Sequence, residues 1–141
     1  MKALPMLALA AVAGAAKPEL SFRFVVPCTA GSKSLTFIYH GDAEPMCLED
    51  PPALVGDDFK GVTKISDKVV SLAFSADGMR KLSHITASNR GRRLAVVFGD
   101  KILEAPWIRQ QAVLLALIVH TEADKATLDT LIADYPPPKA P

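Results

Sequence analysis

The stretch from residue 68 to residue 108 constrains the fold more than any other part of this chain. It begins with alternating apolar residues at 69–74, the pattern of a half-buried strand. Ser75 predicts the N-cap of a following helix, and Gly91, which can adopt a left-handed conformation, predicts its end. A nearly continuous apolar run at 94–98 then predicts a buried strand, which a glycine–aspartate turn joins to another strand. We therefore expect a strand, a helix and a strand hairpin in succession.

Other parts of the chain predict additional strands. Residues 20–26 and 35–40 are strand-like runs, and we expect them to form a hairpin with each other. Residues 110–119 are apolar on both faces, which predicts a central strand, and a last helix is predicted between Thr121 and Pro136. Because strands outnumber helices and do not alternate regularly with them, the sequence favours an α+β fold. We expect a mostly antiparallel sheet of about five or six strands, with two helices packed on one face.

The first sixteen residues have the order of features typical of a secretory signal peptide. A positive charge at Lys2 precedes an apolar run at 3–13, and small residues follow at the expected cleavage position. We therefore predict a signal peptide at 1–16, one domain at 17–135, and a disordered proline-rich tail at 136–141. The alternative for the first segment is a buried N-terminal helix. Signal cleavage would place the mature protein in the periplasm or outside the cell.

The charge balance excludes one class of partner. The chain has 16 Lys and Arg and 15 Asp and Glu, and cleavage of the signal peptide would remove only Lys2, leaving 15 of each sign. A nucleic-acid-binding domain needs a basic surface, so we expect no nucleic-acid partner. The longest apolar run after the signal, at 112–119, is too short to cross a bilayer, so we expect no integral membrane segment in the mature chain.

The chain contains two cysteines, Cys28 and Cys47. An even number of cysteines in an exported chain indicates a disulfide, and two buried free thiols are the alternative. A bond between them would stabilise the fold by roughly 3 kcal/mol in the chain-entropy account. Two cysteines this far apart do not provide enough ligands for a metal site.

No catalytic motif stands out. The three histidines, His40, His84 and His120, do not have metal-ligand spacing such as HxH or HExxH, and surface or capping roles are expected for them. The chain contains neither a GxSxG nucleophile motif nor a CxxC pair. We therefore expect no enzymatic activity, no metal and no cofactor. The alternative is a small periplasmic hydrolase or metal-binding enzyme that uses the three histidines.

A basic cluster lies at the two ends of the predicted central helix and could bind an acidic partner. Solvated charges are the alternative for its members, which are Arg80, Lys81, Arg90, Arg92 and Arg93. Trp107 could be an exposed anchor for binding or a core residue. The candidate binding surface predicted from the sequence consists of Arg92, Arg93 and Trp107.

Four motifs follow one another between residues 54 and 108. They are LVGDD at 54–58, a strand and helix with Gly78 at 70–82, T-x-x-N-x-G-R-x-L-A-x-V at 86–97, and D-K followed by A-P-x-I at 100–108. In order and spacing they resemble the head part of the first periplasmic domain of SecD, a membrane subunit that assists protein export. The resemblance extends over roughly residues 52–132. It departs after Ile108, where the family has a glycine-rich strand and this chain has no glycine between Gln110 and His120.

The resemblance implies a free-standing exported relative of the SecD head that lacks transmembrane segments. In the translocase the head is implicated in contacting the exported chain. We therefore expect a non-enzymatic module that binds a protein or peptide partner, through an exposed sheet edge or a sheet face without helices. Besides the enzyme named above, a second alternative is a structural or inhibitory accessory protein that blocks another protein.

Overall fold

A computed structural model describes residues 18–29 and 34–138 of the chain. The predicted signal peptide at 1–16 lies outside these residues. Within them the chain forms nine strands and two α-helices, which confirms the predicted α+β class. The strands are β1 (Leu20–Val26), β2 (Ser34–Tyr39), β3 (Asp42–Leu48), β4 (Leu54–Val55), β5 (Phe59–Ser66), β6 (Val69–Phe74), β7 (Leu94–Phe98), β8 (Lys101–Glu104) and β9 (Ala116–His120), and the helices are α1 (Ala76–Ser88) and α2 (Lys125–Asp134).

The described strands form two antiparallel sheets. The larger sheet has the order β2-β3-β1-β7-β8, with β4 also paired to β1, and the smaller sheet has the order β5-β6-β9. Phe22 of β1 lies opposite Val96 of β7 in the larger sheet. The end strands β2 and β8 contact each other, so the larger sheet is strongly curled.

The predicted hairpin between 20–26 and 35–40 is wrong. β2 instead forms a hairpin with β3, in which Leu35 lies opposite Met46, and β1 pairs with the end of β3. The physical reason is the turn at His40 and Gly41, whose φ angles of 52° and 83° suit a tight two-residue hairpin.

Two apolar clusters stabilise this arrangement. The main core lies between the sheets, where Phe22 of β1 packs in one cluster with Leu72 of β6. Both helices contribute to this core, through Leu82 of α1 and Leu131 of α2. The second cluster lies within the curl of the larger sheet and contains Phe37, Met46, Ala95, Val97, Ile102 and Ala105.

The predicted central strand at 110–119 is also wrong. Only Ala116–His120 is a strand, and it forms the end of the smaller sheet, because β6 occupies the middle position between β5 and β9. The side chains of Val113 and Leu115 are therefore 70% and 76% exposed instead of buried.

Capping groups define where both helices begin. The Ser75 hydroxyl accepts a hydrogen bond from the Gly78 N–H, as predicted. Asp124 caps α2 by accepting from the Thr127 N–H, so this helix begins later than the predicted start at Thr121. The Thr121 hydroxyl accepts from the Ala123 N–H before the helix.

The end of the described chain lies against β5. The Val62 N–H donates to the Tyr135 carbonyl, and the Tyr135 hydroxyl accepts from the Leu20 N–H. Residues 136–138, which belong to the predicted disordered tail, continue beside Gly61, where the Pro136 carbonyl oxygen leaves no room for a side chain. This segment therefore covers part of the outer edge of β5.

Candidate functional site

The arginines of the predicted binding surface are largely engaged within the fold. The Arg92 guanidinium lies 4.1 Å from the centre of the Phe24 ring and also contacts Glu49 at 3.7 Å. Arg93 donates from Nε to the Ala105 carbonyl at 2.6 Å and contacts Glu44 at 3.6 Å. These contacts give both guanidinium groups packing and charge partners, so each has a role in the stability of the sheet.

Trp107 is more exposed than a core residue. Its backbone bridges to Arg93, whose guanidinium lies 5.4 Å from the tryptophan ring centre, and its side chain remains 54% exposed. The structure thus brings the three predicted surface residues into one neighbourhood, with Trp107 as the exposed member.

The remaining basic residues have different environments. Arg80 pairs with Asp77 on the surface of α1, whereas Lys81 contacts the buried carboxylate of Asp58 at 3.0 Å. Arg90 has no hydrogen bond or ion pair with any residue that the structure describes. It therefore remains available for an external anion.

The residues that end α1 have structural roles. Gly91 adopts a φ of 87°, as predicted, whereas Asn89 has a φ of −133°. The Asn89 side chain instead donates to the Ile85 carbonyl at 2.8 Å. Its amide oxygen accepts from Arg92.

Two of the three histidines line the same cleft. His40 and His120 share a cleft of about 430 Å³ with Glu104 and Glu122, while His84 belongs to α1. Burial raises the pKa of Glu104, opposed by a hydrogen bond from the His120 backbone N–H and by the charge of His120. Across 18–29 and 34–138, no three His, Cys, Asp or Glu side chains are arranged to hold a metal ion. The structure gives the alternative of a histidine enzyme no support.

Cys28 and Cys47 form a disulfide, as predicted. Cys47 is buried in β3, and Cys28 follows the end of β1. The bond therefore ties the chain after β1 to the neighbouring strand of the larger sheet.

The sequence interpretation missed the most exposed apolar surface, which we name the apolar edge. It consists of β9 and the preceding Val113, Leu115 and their neighbours, that is, residues 113–120. Three of the seven exposed large hydrophobic side chains in the described chain belong to it, and the third is Ile118, which is 46% exposed. The signal in the sequence was the long apolar run at 112–119. It was wrongly interpreted as a strand buried on both faces.

Only alternate backbone groups of the apolar edge form hydrogen bonds with β6. The bonds from Phe74 N–H to Leu115 and from Thr121 N–H to Lys68 fix which groups of β9 face β6. Because the backbone N–H and C=O groups of successive residues point to opposite sides of a strand, the N–H groups of Ala116 and Ile118 face away from β6. At the far end, Glu104 lies beside the outward N–H of His120.

Comparisons with known proteins agree on one family. The sequence model described as the SecDF P1 head subdomain matches residues 33–126. A protein translocase subunit SecDF of Thermus thermophilus is 34% identical over 97 residues, which cover 62% of this chain and 13% of the relative. A protein translocase subunit SecD of Acidaminococcus fermentans is 34% identical over 67 residues, or 45% of this chain and 16% of the relative. The chain thus spans about a sixth or less of these curated relatives.

Solved structures share the fold. One, described as a membrane component SecDF that enhances protein export, has a TM-score of 0.59 at 20% identity, covering 94% of this chain and 69% of the other. Another, SecDF in a super-membrane-facing form, has a TM-score of 0.59 at 24% identity, covering 90% of this chain and 21% of the other. No described helix of this chain is long and apolar enough to span a membrane. The match over residues 33–126 confirms the resemblance predicted from the sequence, and the chain belongs to the SecDF P1 head subdomain family.

Proposed function

We propose that this chain is an exported, non-enzymatic module that binds an extended polypeptide or an envelope protein through its apolar edge. The observation that carries the proposal is the combination, in residues 113–120, of exposed apolar side chains with outward backbone hydrogen-bonding groups. Extended peptides bind other proteins in this way, by adding a strand to a sheet.

The apolar edge differs from the other sheet ends. Part of the β5 edge is covered by Tyr135 and residues 136–138, and the ends of the larger sheet, β2 and β8, contact each other. Folded proteins usually block strand edges because an open edge attracts other chains. β9 also contacts β8, and Glu104 lies beside the outward N–H of His120. The outward N–H groups of Ala116 and Ile118 remain, next to exposed apolar side chains, and this part of the edge is therefore suited to a partner.

The family supports a partner that is itself a polypeptide. A related SecDF structure is described as enhancing protein export. This chain corresponds to a small part of its SecDF and SecD relatives. A role in export is therefore part of our proposal, and it rests on the binding surface of this chain.

We also propose that the module acts in the periplasm, after removal of residues 1–16 as a signal peptide. The Cys28–Cys47 disulfide supports this location, because such bonds persist in oxidising compartments. Expression of the full chain in a Gram-negative bacterium, followed by fractionation and intact-mass measurement, tests it. We expect a periplasmic product that begins at Lys17, and an uncleaved cytoplasmic product would contradict the proposal.

Binding is tested with a fluorescently labelled peptide in which apolar and polar residues alternate, followed by anisotropy. Leu115→Lys and Ile118→Lys place charges on the apolar edge and should each weaken binding about tenfold or more, because the apolar contact is lost. Ile65→Lys is the matched control, since Ile65 is 55% exposed but lies on β5 at the other side of the same sheet. Equal affinity in all three variants and the unmodified protein would contradict the proposal.

A further inference from the structure

An apolar pocket adjoins the apolar edge. It has a volume of about 250 Å³ and lies between α1, β7 and the segment at 106–117. Leu114 and Leu117 line it, whereas the alternate residues Val113 and Leu115 are exposed. The same segment therefore contributes to both the pocket and the apolar edge.

Several polar groups in and beside the pocket lining bind one another, and the Gln110 side chain also lines the pocket. The Thr86 hydroxyl donates to the Leu82 carbonyl and accepts from the Ala112 N–H. Gln111 donates to the Ser83 hydroxyl at 2.7 Å. With these groups satisfied, the lining is left with mainly apolar side chains to offer a ligand, and an apolar group is the preferred occupant.

The surroundings of the pocket are cationic. Arg109 lines the pocket, and the bond from the Gly91 N–H to the Ile108 carbonyl places Arg90 on the adjacent backbone. Neither Arg90 nor Arg109 has an ion pair or hydrogen bond with a described residue. No Asp or Glu lines the pocket. Both arginines therefore favour an anionic group beside the apolar one.

The size of the pocket selects between amphiphilic occupants. Pockets for whole drug-sized ligands measure roughly 300–1,000 Å³, and a cavity of about 150 Å³ holds one benzene. The volume of about 250 Å³ is thus suited to one large apolar side chain and small for a long acyl chain. Among amphiphiles, a peptide with an acidic residue beside an apolar one fits both the volume and the charge.

We infer that this pocket takes one large apolar side chain of a bound polypeptide, and that Arg90 and Arg109 select segments with an acidic residue next to it. The inference rests on the proposed polypeptide binding and names the sequence class that is bound. Trp107, the single tryptophan of the chain, lines the pocket and provides a direct signal of occupancy.

The test titrates four short peptides against the full mature chain. Three have a central leucine flanked by glutamate, by serine or by lysine, and the fourth has a central serine flanked by glutamate. The glutamate-flanked leucine peptide should blue-shift Trp107 fluorescence and bind about two- to fivefold more tightly than the lysine-flanked peptide, the range of an exposed ion pair. The preference should decrease as salt is raised. The central-serine peptide should cause no shift.

Variants separate the two parts of the site. Arg109→Gln, alone and with Arg90→Gln, should remove the preference for glutamate, while Lys60→Gln, which removes an exposed charge on β5, should leave it unchanged. Ala112→Phe should fill the pocket and abolish the Trp107 shift, with circular dichroism confirming that the variant folds.

The outcomes distinguish this inference from the proposed function. If peptides bind with no Trp107 shift, or with equal affinity for both flanking charges, the inference is wrong while polypeptide binding stands. If no peptide binds, both are wrong. If a lauroyl carboxylate binds more tightly than every peptide, the occupant is a lipid-like amphiphile and the peptide assignment is overturned.

Discussion

The backbone N–H of Ala112 donates a hydrogen bond of 2.8 Å to the buried hydroxyl of Thr86. This bond ties the segment before β9 to α1, and it gives Thr86, the first residue of the T-x-x-N-x-G motif, a structural role. The apolar edge and the pocket both depend on the position of that segment.

Replacing Thr86 with valine should lower the free energy of unfolding by about 1–3 kcal/mol, because the shape is retained while the Ala112 N–H loses its acceptor. Urea denaturation measures the change. Ser83→Ala is the control, since the Ser83 hydroxyl binds an exposed glutamine side chain and its loss should cost less than about 0.5 kcal/mol. Equal effects would show that the Thr86 bond is unimportant.

Asp58 provides a second test of the motif residues. Its carboxylate is buried, accepts from the Val55 N–H at 3.0 Å and pairs with Lys81. Asp58→Ala should cost about 3 kcal/mol, because it leaves those donors without their partner. Its exposed neighbour supplies the control: Asp57→Ala should change the unfolding free energy by less than about 0.5 kcal/mol.

Gly78 is required by close approach and not by backbone conformation. A Cβ at this position would overlap the carbonyl oxygen of Asp58, whereas a Cβ on Gly91 would meet nothing. Gly78→Ala should therefore destabilise by about 1–3 kcal/mol or more through overpacking. Gly91→Ala should cost about 1 kcal/mol, through its positive φ alone. Thermal unfolding that gave the reverse order would contradict this account.

The pH dependence of stability should carry a signature of Glu104. Burial raises its pKa above the ordinary 4.5, so the folded state retains the proton more strongly than the unfolded state. The contribution of the Glu104 proton to stability is therefore complete below about pH 4.5 and is lost as the pH rises through the raised pKa. Relative to Glu104→Gln, the unmodified protein should lose stability as the pH is raised from below 4.5 through the raised pKa of Glu104. A constant difference across that range would show that the pKa is not raised.

Local chemistry in the sequence predicted local structure well. Ser75 and Gly91 marked the ends of α1 because capping depends on a few neighbouring atoms. Strand pairing was less accessible, because the partners of β1 are β3, β4 and β7, far along the chain. The His40–Gly41 turn could have revealed the β2–β3 hairpin.

The apolar edge was missed for a different reason. A run such as 112–119 is apolar whether it is buried by the fold or kept exposed for a partner, and periodicity does not distinguish the two. For the same reason, the sequence did not distinguish an exposed Trp107 from a buried one. Only the position of β9 at the end of the smaller sheet separates these interpretations.

Hydrogen exchange at β9 tests strand addition most directly. The N–H groups of Ala116 and Ile118 face away from β6, while those of Leu117 and Val119 face it. When a saturating alternating peptide is added, exchange followed by NMR should slow strongly at Ala116 and Ile118 and change little at Leu117 and Val119. Peptide binding with unchanged exchange at Ala116 and Ile118 would contradict the account.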